Sequence, residues 1–253
     1  MGMLDSIKTG REARPPRIMV YGSEGVGKST FGASAPKPIF IQTEDGLGEI
    51  ECSKFPLAKS VSEVIAELTA LRDEQHDFQS IIIDSADWLE RLIFEEVCRE
   101  YGVRSIEKAD GGYGRGYTHA LTHWRKLVHL LEELRDKRGM LVILVAHAKV
   151  ERFEDPENAA YDRYTPRLHK HAASLLSEWV DAVLFANKKF RVQKENERAI
   201  AAPIGAEGGE RIVRTVGSPA CIAKNRFGLP PELPLSWQAF IEAYQGVHSG
   251  AER

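Results

Sequence analysis

Two hydrophobic rhythms alternate along the chain. Short apolar runs at Arg17-Ile-Met-Val-Tyr-Gly22, Pro38-Ile-Phe-Ile-Gln-Thr43, Ser80-Ile-Ile-Ile-Asp84, Met140-Leu-Val-Ile-Leu-Val-Ala146 and Asp181-Ala-Val-Leu-Phe-Ala186 have the length and β-branched content of strands. Runs with so little polar alternation suit parallel strands covered on both faces. Between them, apolar residues recur at helical spacing. Ser62 to Glu74 sets Val64, Ile65, Leu68 and Leu71 on one stripe, and Ser85–Tyr101, Thr118–Lys137 and Leu168–Trp179 also read as helices. From residue 189 to 226 the texture changes to short segments parted by Gly and Pro (Phe190-Arg-Val, Ala199-Ile-Ala-Ala, Arg211-Ile-Val-Arg-Thr-Val, Cys221-Ile-Ala), the pattern of antiparallel hairpins. A last helix, Ser236 to Tyr244, follows Pro230, Pro231 and Pro234. Alternating strands and helices predict an α/β fold, a doubly wound and mostly parallel sheet whose far edge is extended by the C-terminal hairpins. Residues 1–16 read as a polar leader, 17–247 as the core and 248–253 as a tail.

The first strand runs into Gly22-Ser23-Glu24-Gly25-Val26-Gly27-Lys28-Ser29, which fits G-x-x-x-x-G-K-[ST] without mismatch, and Thr30 follows at the start of a helix. Backbone N–H groups of such a turn point at phosphates, Lys28 sets a point charge on the β- and γ-phosphates, and the Ser29 hydroxyl ligates Mg²⁺. The helix N-terminus adds its dipole. The motif predicts nucleoside triphosphate binding. Asp84, at the end of the triple-isoleucine strand, can hold the metal beside Ser29. Ser85 follows it rather than a second acid, so a general base must come from elsewhere. Glu44, past the end of the second strand, shares the C-terminal rim of a parallel sheet with the phosphates and could polarise an attacking water; the alternative is that Glu44 and Asp45 only begin a turn into Gly46. His147 ends an apolar strand on the same rim, where a neutral imidazole N–H could sense a γ-phosphate oxygen. Lys224 and Arg226 share one face of a strand by period-two alternation. They are candidates for acting on a neighbouring subunit's γ-phosphate, or for simply blunting a sheet edge.

Charge and cysteine content narrow the setting. The net charge of −3 excludes a whole-molecule field favouring nucleic acid, so any such site is a local patch. Cys52, Cys98 and Cys221 are far apart and in no C-x-x-C pair, which argues for reduced thiols with no disulfide framework and no zinc site. The N-terminus lacks a signal-peptide apolar region and the longest apolar run is too short to span a bilayer, so a cytoplasmic protein is expected. A GTPase reading fits Asp45-Gly-Leu-Gly48 as D-x-x-G but lacks N-K-x-D, since Asn187-Lys188 is followed by Lys189-Phe190.

Together these residues resemble the RecA/DnaB group of P-loop ATPases over about Arg17 to Pro230. Phe-Ile-Gln-Thr-Glu44 resembles the strand carrying the catalytic glutamate, Ile-Ile-Ile-Asp84-Ser the Walker B strand, and Val-Ala-His147 the sensor strand. Ala-Lys224-Asn-Arg226-Phe-Gly resembles the finger strand that crosses a subunit boundary. Length and sensor are most similar to compact phage RecA-core ATPases regarded as single-strand annealing or recombination proteins. The resemblance implies a RecA-like core, ATP with Mg²⁺, self-association into a ring or filament, single-stranded DNA and a single-strand DNA-binding protein as partners, and the host cytoplasm as location. It also assigns two DNA-holding loops. Ser105 to Tyr117 interleaves Lys108, Tyr113, Arg115 and Tyr117 with glycines, and Lys149 to His171 carries Lys149, Arg163, Tyr164, Arg167 and Lys170. A helicase-type motor and a nucleotide-gated scaffold with little turnover are the competing readings.

Overall fold

The computed structural model describes residues 2–7, 9–10, 14–195, 198–203 and 209–249. A 3₁₀ turn (Met3–Ser6) precedes β1 (Arg17–Gly22), α1 (Lys28–Ala33), β2 (Pro38–Gln42), β3 (Ser53–Lys54), α2 (Val61–Asp73), β4 (Ser80–Asp84) and α3 (Ala86–Glu100). A second 3₁₀ segment (Ile106–Gly111) leads into α4 (Arg115–Arg138), followed by β5 (Leu141–Phe153), β6 (Tyr161–Pro166), α5 (Lys170–Trp179) and β7 (Ala182–Lys188). The chain then forms β8 (Phe190–Glu195), β9 (Arg198–Pro203), β10 (Arg211–Arg214), β11 (Lys224–Asn225), β12 (Glu232–Pro234) and α6 (Trp237–Ser249). Parts of the expected leader and most of the expected tail lie outside the described residues.

The main sheet runs β12-β10-β7-β1-β5-β4-β2-β3, with its central strands parallel. Its strands carry apolar side chains on both faces, as their unbroken runs require. Met19, Tyr21, Ile81, Ile83, Val142 and Leu144 face a core closed by α2, α3, α4 and α5, while Ile18, Val20, Ile82, Ile143 and Val145 face a smaller one closed by α1 and α6. α1 sits close on the sheet because Gly32 has no Cβ; one added there would lie 3.2 Å from both Ile82 γ-carbons. Helix α2 starts at Ser60, whose hydroxyl accepts from the Glu63 N–H.

Three expectations change. The segment after His147 is not a loop: β5 continues to Phe153 and returns through β6, making an antiparallel arm that leaves the sheet. The β8–β9 hairpin pairs with itself as a separate sheet, so β10, β11 and β12 alone extend the edge. In the segment 105–117, Arg115 and Tyr117 belong to the first turn of α4, which begins three residues earlier than its apolar stripe implied. Its Gly114 N-cap is left-handed and Gly116 packs where a Cβ would meet the Ile106 carbonyl at 2.1 Å. Backbone fit, rather than hydrophobicity, sets that start.

Candidate active site

β1 ends where the loop begins, and Gly22 is needed there because a Cβ would stand 2.2 Å from the Ala186 carbonyl oxygen. The loop turns through Gly25 and Gly27 at φ +66° and +109°, conformations that favour glycine. Lys28 then opens α1 with its ammonium folded back on the loop, donating to the Gly22 and Ser23 carbonyls at 3.2 and 2.8 Å. Burial pulls the Lys28 pKa down, against the pull of Asp84, Asp87, Glu44 and Glu24. A cavity of about 390 Å³ covers the loop and is lined by Gly27, Lys28, Ser29, Glu44, Asp84 and His147, among others.

β4 brings Asp84 to the loop, with the Ser29 hydroxyl against its carboxylate. Burial raises the Asp84 pKa and the nearby Glu44 charge adds to it, outweighing Ser29, Lys28 and His147. Among the described residues no group of three or more His, Cys, Asp or Glu side chains is disposed to hold a metal. Ser29 and Asp84 instead supply two hard oxygen donors at a phosphate loop, which fits Mg²⁺, an ion that takes few protein ligands and completes its shell with phosphates and water.

Glu44 and His147 meet on this rim. The Ser85 hydroxyl donates to Glu44 Oε2 at 2.9 Å, and that oxygen lies 3.8 Å from His147 Nδ1. Ser85 is held in turn by Thr43, whose hydroxyl donates to the Ser85 carbonyl at 2.7 Å and accepts from its N–H at 3.0 Å. Asp87, in the first turn of α3, accepts from the His147 backbone N–H at 3.0 Å and from its Nδ1 at 3.1 Å. Arg167 donates two further bonds to Asp87, at 3.0 and 2.8 Å. Burial would raise the Asp87 carboxyl, but the His147 and Arg167 hydrogen bonds overcome it and hold the group well below the usual carboxylate range.

An ionised Asp87 only accepts, so His147 Nδ1 carries a proton and Nε2 of the neutral ring carries a lone pair. A neutral His147 therefore presents an acceptor at Nε2, and only the doubly protonated ring donates from that atom. The expected contact from a neutral ring N–H to a phosphate would need the other tautomer.

The remaining candidates divide. Tyr113, Arg115, Tyr117 and Lys170 line one cavity of about 370 Å³ with His169 and His171, so the two segments proposed to hold DNA do meet. Lys149 and Arg163 line an adjoining cavity that shares Lys170. Tyr113 is fully exposed, whereas Tyr117 stacks on His169 with centroids 3.9 Å apart. Burial lowers the His169 pKa, with the nearby His171, Lys170 and Lys149 adding to it. Arg167 is drawn away to Asp87 and reaches Glu24 of the phosphate loop at 3.5 Å. Tyr164 packs on Phe185, and Lys108 stands exposed in the 3₁₀ segment, outside both cavity walls.

Lys224 and Arg226 lie at the opposite end of the sheet from the phosphate loop, because β11 pairs with the start of β7. The Lys224 ammonium spends its three protons on the Ser177, Glu178 and Val180 carbonyls at 2.7, 2.9 and 2.7 Å, capping the C-terminus of α5. Arg226 is exposed, 3.8 Å from Asp181. Any finger role in this pair therefore rests on Arg226, with Lys224 bracing its strand.

Sequence reasoning missed Ser85, Asp87 and Arg211. Asp87 looks like an ordinary first-turn acid, and Arg211 like one residue of a hairpin. Only the fold sets Asp87 under His147 and Arg211 beside Gly27.

A mostly parallel α/β sheet with a phosphate loop at β1 and an acid at the end of β4 defines a P-loop nucleotide-binding domain. Residues 14–227 match the family described as AAA domain, and the chain belongs to that family. It is also similar to the SPbeta prophage-derived uncharacterized protein YorG of Bacillus subtilis (strain 168), 26% identical over 155 residues. The alignment covers 60% of this chain and 45% of that relative, so the chain spans less than half of its relative's length. No helix among the described residues is long and apolar enough to cross a membrane.

Proposed function

We propose that the chain is a Mg²⁺-dependent ATPase of RecA type that acts on single-stranded DNA in phage-type recombination or strand annealing and hydrolyses ATP at subunit interfaces. The arrangement that carries this reading is Glu44 held by Ser85 beside His147, with Asp87 and Arg167 linking that pair to the β5–β6 arm. Glu44 Oε2 takes a proton from water as its oxygen attacks the γ-phosphorus, and the bond to the β-phosphate oxygen breaks to release ADP. Lys28 and the loop N–H groups hold the phosphates, and Ser29 and Asp84 would hold a Mg²⁺ whose charge would offset that of the phosphates. Arg226 approaches the γ-phosphate of a neighbouring copy.

The DNA reading is supported by the cavities where Tyr113, Arg115, Lys149, Arg163 and Lys170 gather on an otherwise acidic molecule. The resemblance to a prophage-derived protein supports the phage setting. The test is ATP hydrolysis with and without single-stranded DNA, with annealing of complementary strands scored in the same tube. DNA-stimulated hydrolysis with faster annealing is expected. A rate indifferent to DNA would favour a nucleotide-gated scaffold, and unwinding of a forked duplex would favour a helicase-type motor.

A further inference from the structure

Beside the phosphate cavity lies a second one of about 230 Å³, and the two share Gly27, Thr30 and Arg211. They are continuous around the N-terminal turn of α1, so a ligand whose phosphates fill the first has a route into the second. Arg211 stands at the junction. Its Nη1 would lie 3.1 Å from a Cβ on Gly27, so the guanidinium rests directly on the bare backbone of the phosphate loop. Its own backbone is fixed by pairing with Lys188 and by the Leu235 N–H, which donates to its carbonyl at 3.0 Å. The guanidinium makes no hydrogen bond or ion pair with a described residue, although a positive charge beside an anion site is usually balanced.

The rest of the wall is mainly apolar, with hydroxyls from Thr30, Ser34 and Ser236 but no carboxylate or amide side chain. Trp237 packs edge-on against Phe31, with centroids 5.5 Å apart, and Leu235 lies over Gly27. The Ser34 hydroxyl is spent on the Thr30 carbonyl at 2.9 Å. Such a wall offers area, one cation and small hydroxyls, with no carboxylate or amide side chain to read the hydrogen-bonding edge of a base.

We infer that this second cavity receives the nucleoside half of the bound nucleotide, with Arg211 of the same chain clamping it by its planar face, and that the base is held by contact rather than read. This rests on the nucleotide-binding reading of the phosphate loop. A guanidinium stacks on any aromatic face, so purines are favoured for their area. Strong discrimination, by contrast, comes from hydrogen bonds that a wrong ligand leaves unpaired. ATP then serves by its supply rather than by the shape of its site.

The experiment compares binding of ATP, GTP and inorganic tripolyphosphate by the full chain, by Arg211→Ala and by Ser34→Phe. Arg211 is exposed, so its removal leaves the core intact. Wild-type protein should bind ATP and GTP within about tenfold of each other. Arg211→Ala should weaken both by about tenfold or more, and Arg211→Lys should restore little, because an ammonium does not stack. Ser34→Phe should weaken both nucleotides while tripolyphosphate binds as in wild type. Unchanged nucleotide affinity in Arg211→Ala and Ser34→Phe, or a preference between ATP and GTP above about a hundredfold, would overturn the inference while leaving the phosphate loop standing. Failure of wild-type protein to bind either nucleotide or tripolyphosphate would remove both.

Discussion

At the N-terminal ends of its central strands the sheet closes charge on charge. Arg17 holds Asp181 at 2.7 Å and Glu132 at 3.0 Å, the Trp179 indole N–H donates to Glu132 at 2.9 Å, and Lys224 caps three carbonyls of α5. A few residues along the same strands, at their C-terminal ends, charges of one sign are left together. Glu44 and Asp84 share the mouth of a cavity whose lysine is turned onto backbone carbonyls, and Arg211 stands beside it with no partner among the described residues. Burial pushes carboxyl groups up on both rims, but only one rim offsets it. Asp181 is buried, yet Arg17 more than offsets that and holds its carboxyl low, whereas Asp84 is pushed up. A charge already satisfied stabilises the fold and has nothing left to offer a ligand. One that is buried and uncompensated costs stability and is discharged by an incoming phosphate or cation.

The sharpest way to break this contrast is Arg226, a cation of the satisfied rim assigned to catalysis in a neighbour. Arg226→Ala should bind ATP normally and lose roughly 10³-fold or more in turnover. Lys28→Ala should lose binding. Mixing the two inactive proteins should restore part of the activity, since some interfaces then pair an intact loop with an intact Arg226. A dead mixture of demonstrably co-assembled subunits would return Arg226 to a purely structural role. Next in size, Asp181→Ala should lower unfolding stability by about 3 kcal/mol, because Arg17 is left buried without its carboxylate. Thermal melting measures this, and a melt unchanged within a degree would contradict the account of that rim.

Glu44→Gln is the counterpart on the other rim. It should retain ATP binding and the wild-type melting temperature while turnover falls about 10²-fold. If Asp45→Asn does this instead, the base is misplaced by one residue. The smallest effect concerns Glu90, on α3 one turn beyond Asp87, which accepts the His169 N–H at 2.8 Å. Burial pushes its carboxyl up to about 7. The folded protein then binds a proton that the unfolded chain releases near pH 4.3, so stability falls as pH rises from that value to about 7 and is flat above. Glu90→Gln should be more stable than wild type at pH 8 and equal to it near pH 4. Equal melting differences at both pH values would mean that Glu90 does not titrate in this window.

The legible and illegible parts of this fold divide by the kind of signal they leave. β1, β2, β4 and the core of β5 were legible because strands covered on both faces must be apolar throughout, and the phosphate loop because its glycines and lysine are fixed by backbone geometry. The β5–β6 arm was illegible for the opposite reason. Beyond His147 it is flanked by solvent, and its alternation of Val150, Glu151, Arg152 and Phe153 reads equally as a loop. Glu44 and His147 could be named as neighbours on one rim, since parallel strands end together. Asp87 and Arg211 could not, because each is brought to the site by an element whose own pattern serves packing.

β5 is a single strand of thirteen residues, about 43 Å at the usual rise, and His147 stands near its middle. One half is fixed in the sheet between β1 and β4, and the other carries the arm with Lys149 and the residues paired to Arg163. It is thus a beam clamped at one end and loaded at the other, with the imidazole at the clamp. Arg167 closes the loop of forces, running from the foot of the arm to Asp87 and on toward Glu24. If a load on the arm that displaces this foot changes the affinity of the phosphate loop, filling the loop changes the affinity of the arm by the same factor.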